Sequence, residues 1–224
     1  MNTDKCYFCG EKVTTREHVP PKCLFPETNN CNDINYRVNL ITVPSCDKHN
    51  SEKSKDDEYL HFILTSLLGS NQIANYQFSK KIIKLFKRRP YIARTFIQNP
   101  ENIWVKENGL IVPSISYTVD ITRFYSSLEH IARGLIYSTS GTILNDKKIQ
   151  IVYTSATFSS ISDEKKISLA KFVIKTKDFL NIATEYQGNN QKIFKYKVLS
   201  DDSSYIVFFI FYEMFEVLVS IKNA

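Results

Sequence analysis

No apolar run in this chain approaches the length of a membrane-spanning helix. The longest, "YIVFFIFY" (Tyr205 to Tyr212) and "HFILTSLLG" (His61 to Gly69), fall far short of the roughly 20 residues a bilayer requires. No membrane partner is therefore expected. The opening "MNTDKCYFCGEK" lacks an apolar signal core, so secretion is not expected either. Internal repeats are absent, which argues against a solenoid, and no low-complexity linker interrupts the chain. Acidic residues are missing between Lys80 and Arg94, where "KKIIKLFKRRPYIAR" carries seven basic side chains.

What is present fits an ordinary soluble globular protein. Its 224 residues are 43% hydrophobic and 23% charged, enough for a sizeable core in one or two domains. Five cysteines without a signal sequence suit a reducing cytoplasm, where close-set thiols bind metal more often than they form disulfides. Net charge is +6 and unevenly placed, since residues 1–57 hold eight Lys/Arg against nine Asp/Glu. The excess sits in Lys80, Lys81, Lys84, Lys87, Arg88, Arg89 and Arg94. Such a patch suits the backbone of a nucleic acid. It also reads as the solvated face of an amphipathic helix, with Ile82, Ile83, Leu85 and Phe86 as the apolar side.

The patterning predicts an α+β chain in three sections. Residues 1–60 are poor in apolar runs and need a staple, for which a metal is the natural choice. The next section reads mainly as helices: "DDEYLHFILTSLLG", then "NQIANYQFSKKIIKLFKRR" up to Pro90, then "VDITRFYSSLEHIARGLIYSTSG". In the last of these, apolar residues recur every three to four positions, and Gly141 lies beyond the end. Strands are expected at "KIQIVYTSATF", "QKIFKYKVL", "SSYIVFFIFY" and "MFEVLVSIK", with a turn at "SDDSS". A helix with Ser162 as its N-cap is expected at "SDEKKISLAKFVIKTKDFLNIA". Residues 61–224 are read as a helical, then α+β, accessory or specificity domain.

Cys6 and Cys9 form a C-x-x-C knuckle, and Cys46 and His49 repeat its spacing 37 residues later. Together they make a Cys₃His set, closed and therefore structural, for Zn²⁺. Cys23 and Cys31 lack knuckle spacing and read as small buried residues. Between the knuckles, "REHVPPKCLF" sets Glu17 beside His18 ahead of two prolines. The prolines favour extended chain, in which neighbouring side chains point to opposite faces. A carboxylate and an imidazole side by side suit hydrolysis, one holding a hard cation and the other taking a proton from water. As an isolated dipeptide the same pair is an ordinary surface feature.

The order of these motifs is C-x-x-C, Glu-His-Val-x-Pro, Asn39-Leu40, C-x-x-His-Asn and "KSKDDEY". It resembles the HNH endonuclease family over residues 4–60. The HNH domains of CRISPR effector nucleases share this order. The resemblance implies a zinc-stapled ββα-metal module that hydrolyses phosphodiester bonds, DNA being expected over RNA. It implies His18 as general base, and Glu17 and Asn50 as ligands of a catalytic Mg²⁺ or Mn²⁺. Asn39 would orient the histidine or brace its loop. Cys6, Cys9, Cys46 and His49 would hold structural zinc. A rival assignment gives His49 to the catalytic ion and completes the zinc site with Cys23 or Cys31. Family members serve in defence, restriction or mobile elements and often pair, so a homodimer is expected as one partner state. A non-cleaving nucleic-acid adaptor is the alternative, as is a nuclease effector governed by a partner protein or ligand sensed by the rear section.

Overall fold

Two short strands open the fold: β1 (Thr15–His18) and β2 (Thr42–Ser45) pair antiparallel, Glu17 opposite Val43 and His18 opposite Thr42. The structure is a computed structural model describing residues 4–27, 34–51, 53–107, 109–144, 148–154, 163–201 and 204–222. Cys31 and Ser162 lie outside these residues, as does the middle of "SDDSS". After β2 come a single helical turn, α1 (Asp47–Asn50), and α2 (Ser54–Ser66), which is buried from Tyr59 to Thr65. Helix α2 starts on Asp56 and Asp57 in its first turn, where carboxylates favour the positive end of the helix dipole.

The expected helix up to Pro90 is broken into pieces. It consists of α3 (Gln72–Gln77), a π-helical turn at Phe78–Ile82 and α4 (Ile83–Arg88), and Pro90 then starts α5 (Pro90–Phe96). An antiparallel hairpin follows that the helical reading leaves out: β3 (Gln98–Glu107) and β4 (Leu110–Thr118). Its sequence signal is the Asn-Gly pair at 108 and 109, a common hairpin turn; Gly109 has φ +84°.

Helix α6 (Ile121–Ser140) has the expected span. Asp120 caps its first turn by accepting from the Arg123 N–H, and Gly141 ends it at φ 74°. Behind α6 lies a four-stranded antiparallel sheet, in the order β5 (Lys148–Thr154), β8 (Phe215–Lys222), β7 (Ser204–Phe211), β6 (Phe194–Ser200). Helix α7 (Asp163–Ala183) covers the other face. The run "YIVFFIFY" is continuous rather than alternating because central β7 is buried on both sides. Val207, Phe209 and Phe211 join the main core with α6, whereas Phe208 and Ile210 meet Val173 and Leu180 of α7. Lys197 of β6 is buried and donates to the Leu180 and Thr184 carbonyls at the end of α7, where a cation satisfies the unpaired carbonyls.

The main core is continuous from Cys6 and Tyr7 through α2 and α6 to Ile221. Helix α6 also crosses β2 and passes Val19, just after β1. A Cβ at Gly134 would lie 2.6 Å from Val19 Cγ2 and 3.0 Å from Cγ1, so any larger residue forces Val19 or the helix to shift. Gly134→Ala is expected to cost about 1–3 kcal/mol by overpacking. A melting temperature equal to wild type would show that the helix can move off without cost. Among the described residues no helix is long and apolar enough to cross a membrane.

Candidate metal centre and the strands it clamps

The first knuckle is shaped by its backbone. Gly10 N–H donates to Cys6 O, Gly10 sits at φ 75°, and Cys6 N–H closes onto Glu11 O at 2.7 Å. The second knuckle uses the start of α1, where the N–H groups of His49 and Asn50 both reach Cys46 O at 3.1 Å. Folding β1 against β2 brings the knuckles together. The ligand atoms of Cys6, Cys9, Cys46 and His49 all lie within 4.8 Å of one another. Cys9 Sγ stands 3.9 Å from Cys46 Sγ, and His49 Nδ1 stands 3.8 Å from Cys6 Sγ and 3.3 Å from Cys46 Sγ. Ligand atoms around a tetrahedral zinc are about 3.5–3.8 Å apart, so this Cys₃His set can hold a structural metal such as zinc. Burial pushes the Cys9 thiol up to about 11. Burial acts the same way on Cys6, but backbone donors at Cys9, Phe8 and Cys46 bring that thiol below its ordinary value.

An aromatic stack supports the cluster from behind. Phe8 packs on both His49 and His130, with ring centroids 4.4 and 4.3 Å away and the two imidazoles 5.7 Å apart, and the Arg133 guanidinium sits 4.7 Å from the Phe8 ring. His130 Nδ1–H donates to Ser126 O at 2.8 Å, and burial drives its pKa down to about 3. Arg133 pairs with Glu129 at 2.8 Å and donates to Leu144 O. Both residues are thereby explained as supports of α6 against the first knuckle. Cys23 is not in the cluster: its Sγ–H donates to Asp57 O at 3.5 Å, and burial pushes its thiol up to about 12. His49, not Cys23, completes the set.

Glu17 and His18 on β1 and Asn50 at the end of α1 have different surroundings. Asn50 Nδ2 donates to Thr15 Oγ1 and, at 3.2 Å, to Arg16 O, which ties α1 to the strand. Glu17 faces inward, 4% exposed, with Lys53 Nζ 2.6 Å from its carboxylate; Lys53 also holds Asp57 at 2.8 Å. Burial raises the Glu17 pKa against the pull of Lys53, while the two carboxylates raise that of Lys53 against burial. Tyr7 lies close enough for the Glu17 charge, after burial, to push its phenol up. His18 is half-buried. Burial first, then the charges of Lys22 and Arg37, lowers its pKa, which favours the neutral ring. Asn39 sits in left-handed backbone (φ 52°) just before β2, and its carbonyl accepts from Asn189 Nδ2 at 3.1 Å.

Lys53 is the site residue that sequence reading missed. Its signal is the i, i+4 spacing to Asp57 in "KSKDD", but its link to Glu17 spans 36 positions. The basic stretch divides in the structure. Lys80, Lys81, Lys84, Arg88 and Arg89 line one cavity, while Lys87 and Arg94 lie outside its lining. Compared with protein-family models, curated proteins and solved structures, the chain matches none.

Proposed function

We propose that this chain is a metal-dependent endonuclease that hydrolyses phosphodiester bonds in DNA, with His18 taking a proton from the attacking water. One observation carries the reading. The Cys₃His cluster joins the knuckle ahead of β1 to the end of β2 and to α1, and Asn50 of α1 in turn bonds the strand that bears Glu17 and His18. A neutral imidazole accepts a proton, and His18 is half-buried in surroundings that lower its pKa. In this reading Glu17 and Asn50 hold a hard cation, Mg²⁺ or Mn²⁺, which neutralises charge on the phosphate oxygens when bound. Glu17 becomes available only when Lys53 releases it, because its carboxylate faces the ammonium.

That ion pair favours a second reading, a zinc-stapled nucleic-acid adaptor that never cuts, in which Glu17–Lys53 is purely structural. A plasmid-nicking assay in Mg²⁺, with and without EDTA and with an RNA arm, separates the two. His18→Ala is expected to lower cleavage by about 10²–10⁴-fold while zinc content and melting temperature stay at wild-type values. A variant that cuts as fast as wild type removes His18 from the mechanism. A wild-type protein that binds DNA or RNA but cuts neither is the adaptor.

A further inference from the structure

One cavity, of about 480 Å³, is set apart by its charge; its size is in the range of small-ligand sites. Six basic side chains line it against two carboxylates, Glu27 and Glu58. Glu27 is engaged by Lys81 at 3.1 Å and Arg37 at 3.3 Å. Lys80, Lys84, Arg88 and Arg89 make no ion pair among the described residues. These four charges are gathered from the π-helical turn, α4 and the residue linking α4 to α5. The π turn interrupts what would otherwise be one helix, and π turns are frequent where a helix serves a site.

The second observation is His61 of α2. It lines the same cavity, is 6% exposed, and its Nε2 has no hydrogen-bond partner among the described residues. An orphaned buried nitrogen costs free energy that a ligand atom would recover. Burial, then the charges of Lys81 and Arg37, drives the His61 pKa down to about 3. The ring is therefore neutral, and its Nε2 donates or accepts according to tautomer.

We infer that this cavity is a phosphate-binding site, in which Lys84, Arg88 and the neighbouring cations hold the phosphate of a nucleotide and His61 Nε2 supplies a neutral hydrogen bond. Unmatched cations select an anion, and arginine matches the geometry of phosphate oxygens. The neutral imidazole adds a contact that a bare surface stripe of lysines lacks. The inference does not rest on the nuclease reading and holds for a chain that never cuts. The phosphate has two sources, a free nucleotide or the end or backbone of a nucleic acid, and the chemistry is shared.

The test is calorimetric titration of the full chain at fixed moderate salt. The probes are pyrophosphate, a mononucleoside triphosphate, and a short single-stranded oligonucleotide with and without a 5′-phosphate. At least one probe is expected to bind in the micromolar range. Lys84→Glu and Arg88→Glu should each weaken it by about tenfold or more. Lys87→Glu and Arg94→Glu, on the same stretch but outside the cavity, should weaken it by less than about threefold. His61→Asn, checked for an unchanged melting profile, should weaken it by about fivefold or more. A triphosphate that outcompetes the oligonucleotide identifies the free nucleotide as the source, and the reverse order identifies the nucleic acid. Absence of binding by every probe at millimolar concentration overturns the proposal. So does an equal loss in all four charge reversals, which would mark a diffuse basic surface.

Discussion

Cys46→Ser will empty the metal site and release residues 4–27 and 34–50 from their fold. Cys46 stands at the centre of the cluster, next to both Cys9 and His49. Asp4 to Thr14 carry almost no regular structure, only an isolated bridge between Lys5 and Lys12. Ordering such a segment costs about 1–2 kcal/mol per residue in backbone entropy alone, and Cys6, Tyr7 and Phe8 offer few side chains to offset it. Structural zinc supplies roughly 10–16 kcal/mol in small metal modules, as much as the whole net stability of a typical domain. Bound zinc should fall from about one per chain to near none, and limited proteolysis should cut between the knuckles. His49→Cys in the otherwise wild-type chain, which exchanges one zinc ligand for another, should keep the metal, and Cys23→Ser should be silent on it. Full zinc occupancy and wild-type melting in Cys46→Ser would remove the cluster from the account of the fold.

The cluster was legible because metal ligation imposes local spacing: two i, i+3 pairs announce themselves whatever lies between. Helix α6 was legible for a similar reason, since its apolar stripe at Phe124, Leu128, Ile131 and Leu135 is buried and repeats with the helical period. The sheet was legible strand by strand but not in its order. Each strand is a local property of β-branched and aromatic residues, whereas β5 pairs with β8 across about seventy residues. Central β7 shows no alternation because both its faces are covered, so nothing in it records which neighbour lies on which side. Hairpin β3–β4 was missed although "ENGL" carried the turn signal; its exposed Trp104, Leu110, Ile111 and Ile115 form no helical stripe. The phosphate cavity was hidden for a plainer reason. Arg37, His61 and residues 80–89 meet only through tertiary packing, and a charge run read on its own looks like solvated surface.

Lys53→Met should be the most damaging change of a single charge. It withdraws the ammonium from between Glu17 and Asp57 and leaves a carboxylate that is 4% exposed. Breaking a buried pair by removing one partner costs about 3–5 kcal/mol, because the remaining charge is desolvated and unmatched. The pH dependence has a definite sign. Burial already raises both carboxyl pKa values in the folded chain, and loss of Lys53 removes the main influence pulling them down. A group whose folded pKa exceeds its unfolded value favours the fold below the unfolded pKa and disfavours it as pH climbs through the folded one. The deficit of Lys53→Met relative to wild type should therefore be small near pH 4 and largest at neutral pH. Glu17→Gln on the Lys53→Met background should recover much of the loss, since no ionised carboxylate then lies unpaired on the inner face of β1. Divalent cation tests whether the pair has a functional meaning. If Glu17 serves a metal once freed, millimolar Mg²⁺ should raise the melting temperature of Lys53→Met and leave that of the Glu17→Gln, Lys53→Met double variant unchanged. Equal responses of the two variants to Mg²⁺ would assign Glu17–Lys53 to the scaffold alone and shift the weight to the adaptor reading.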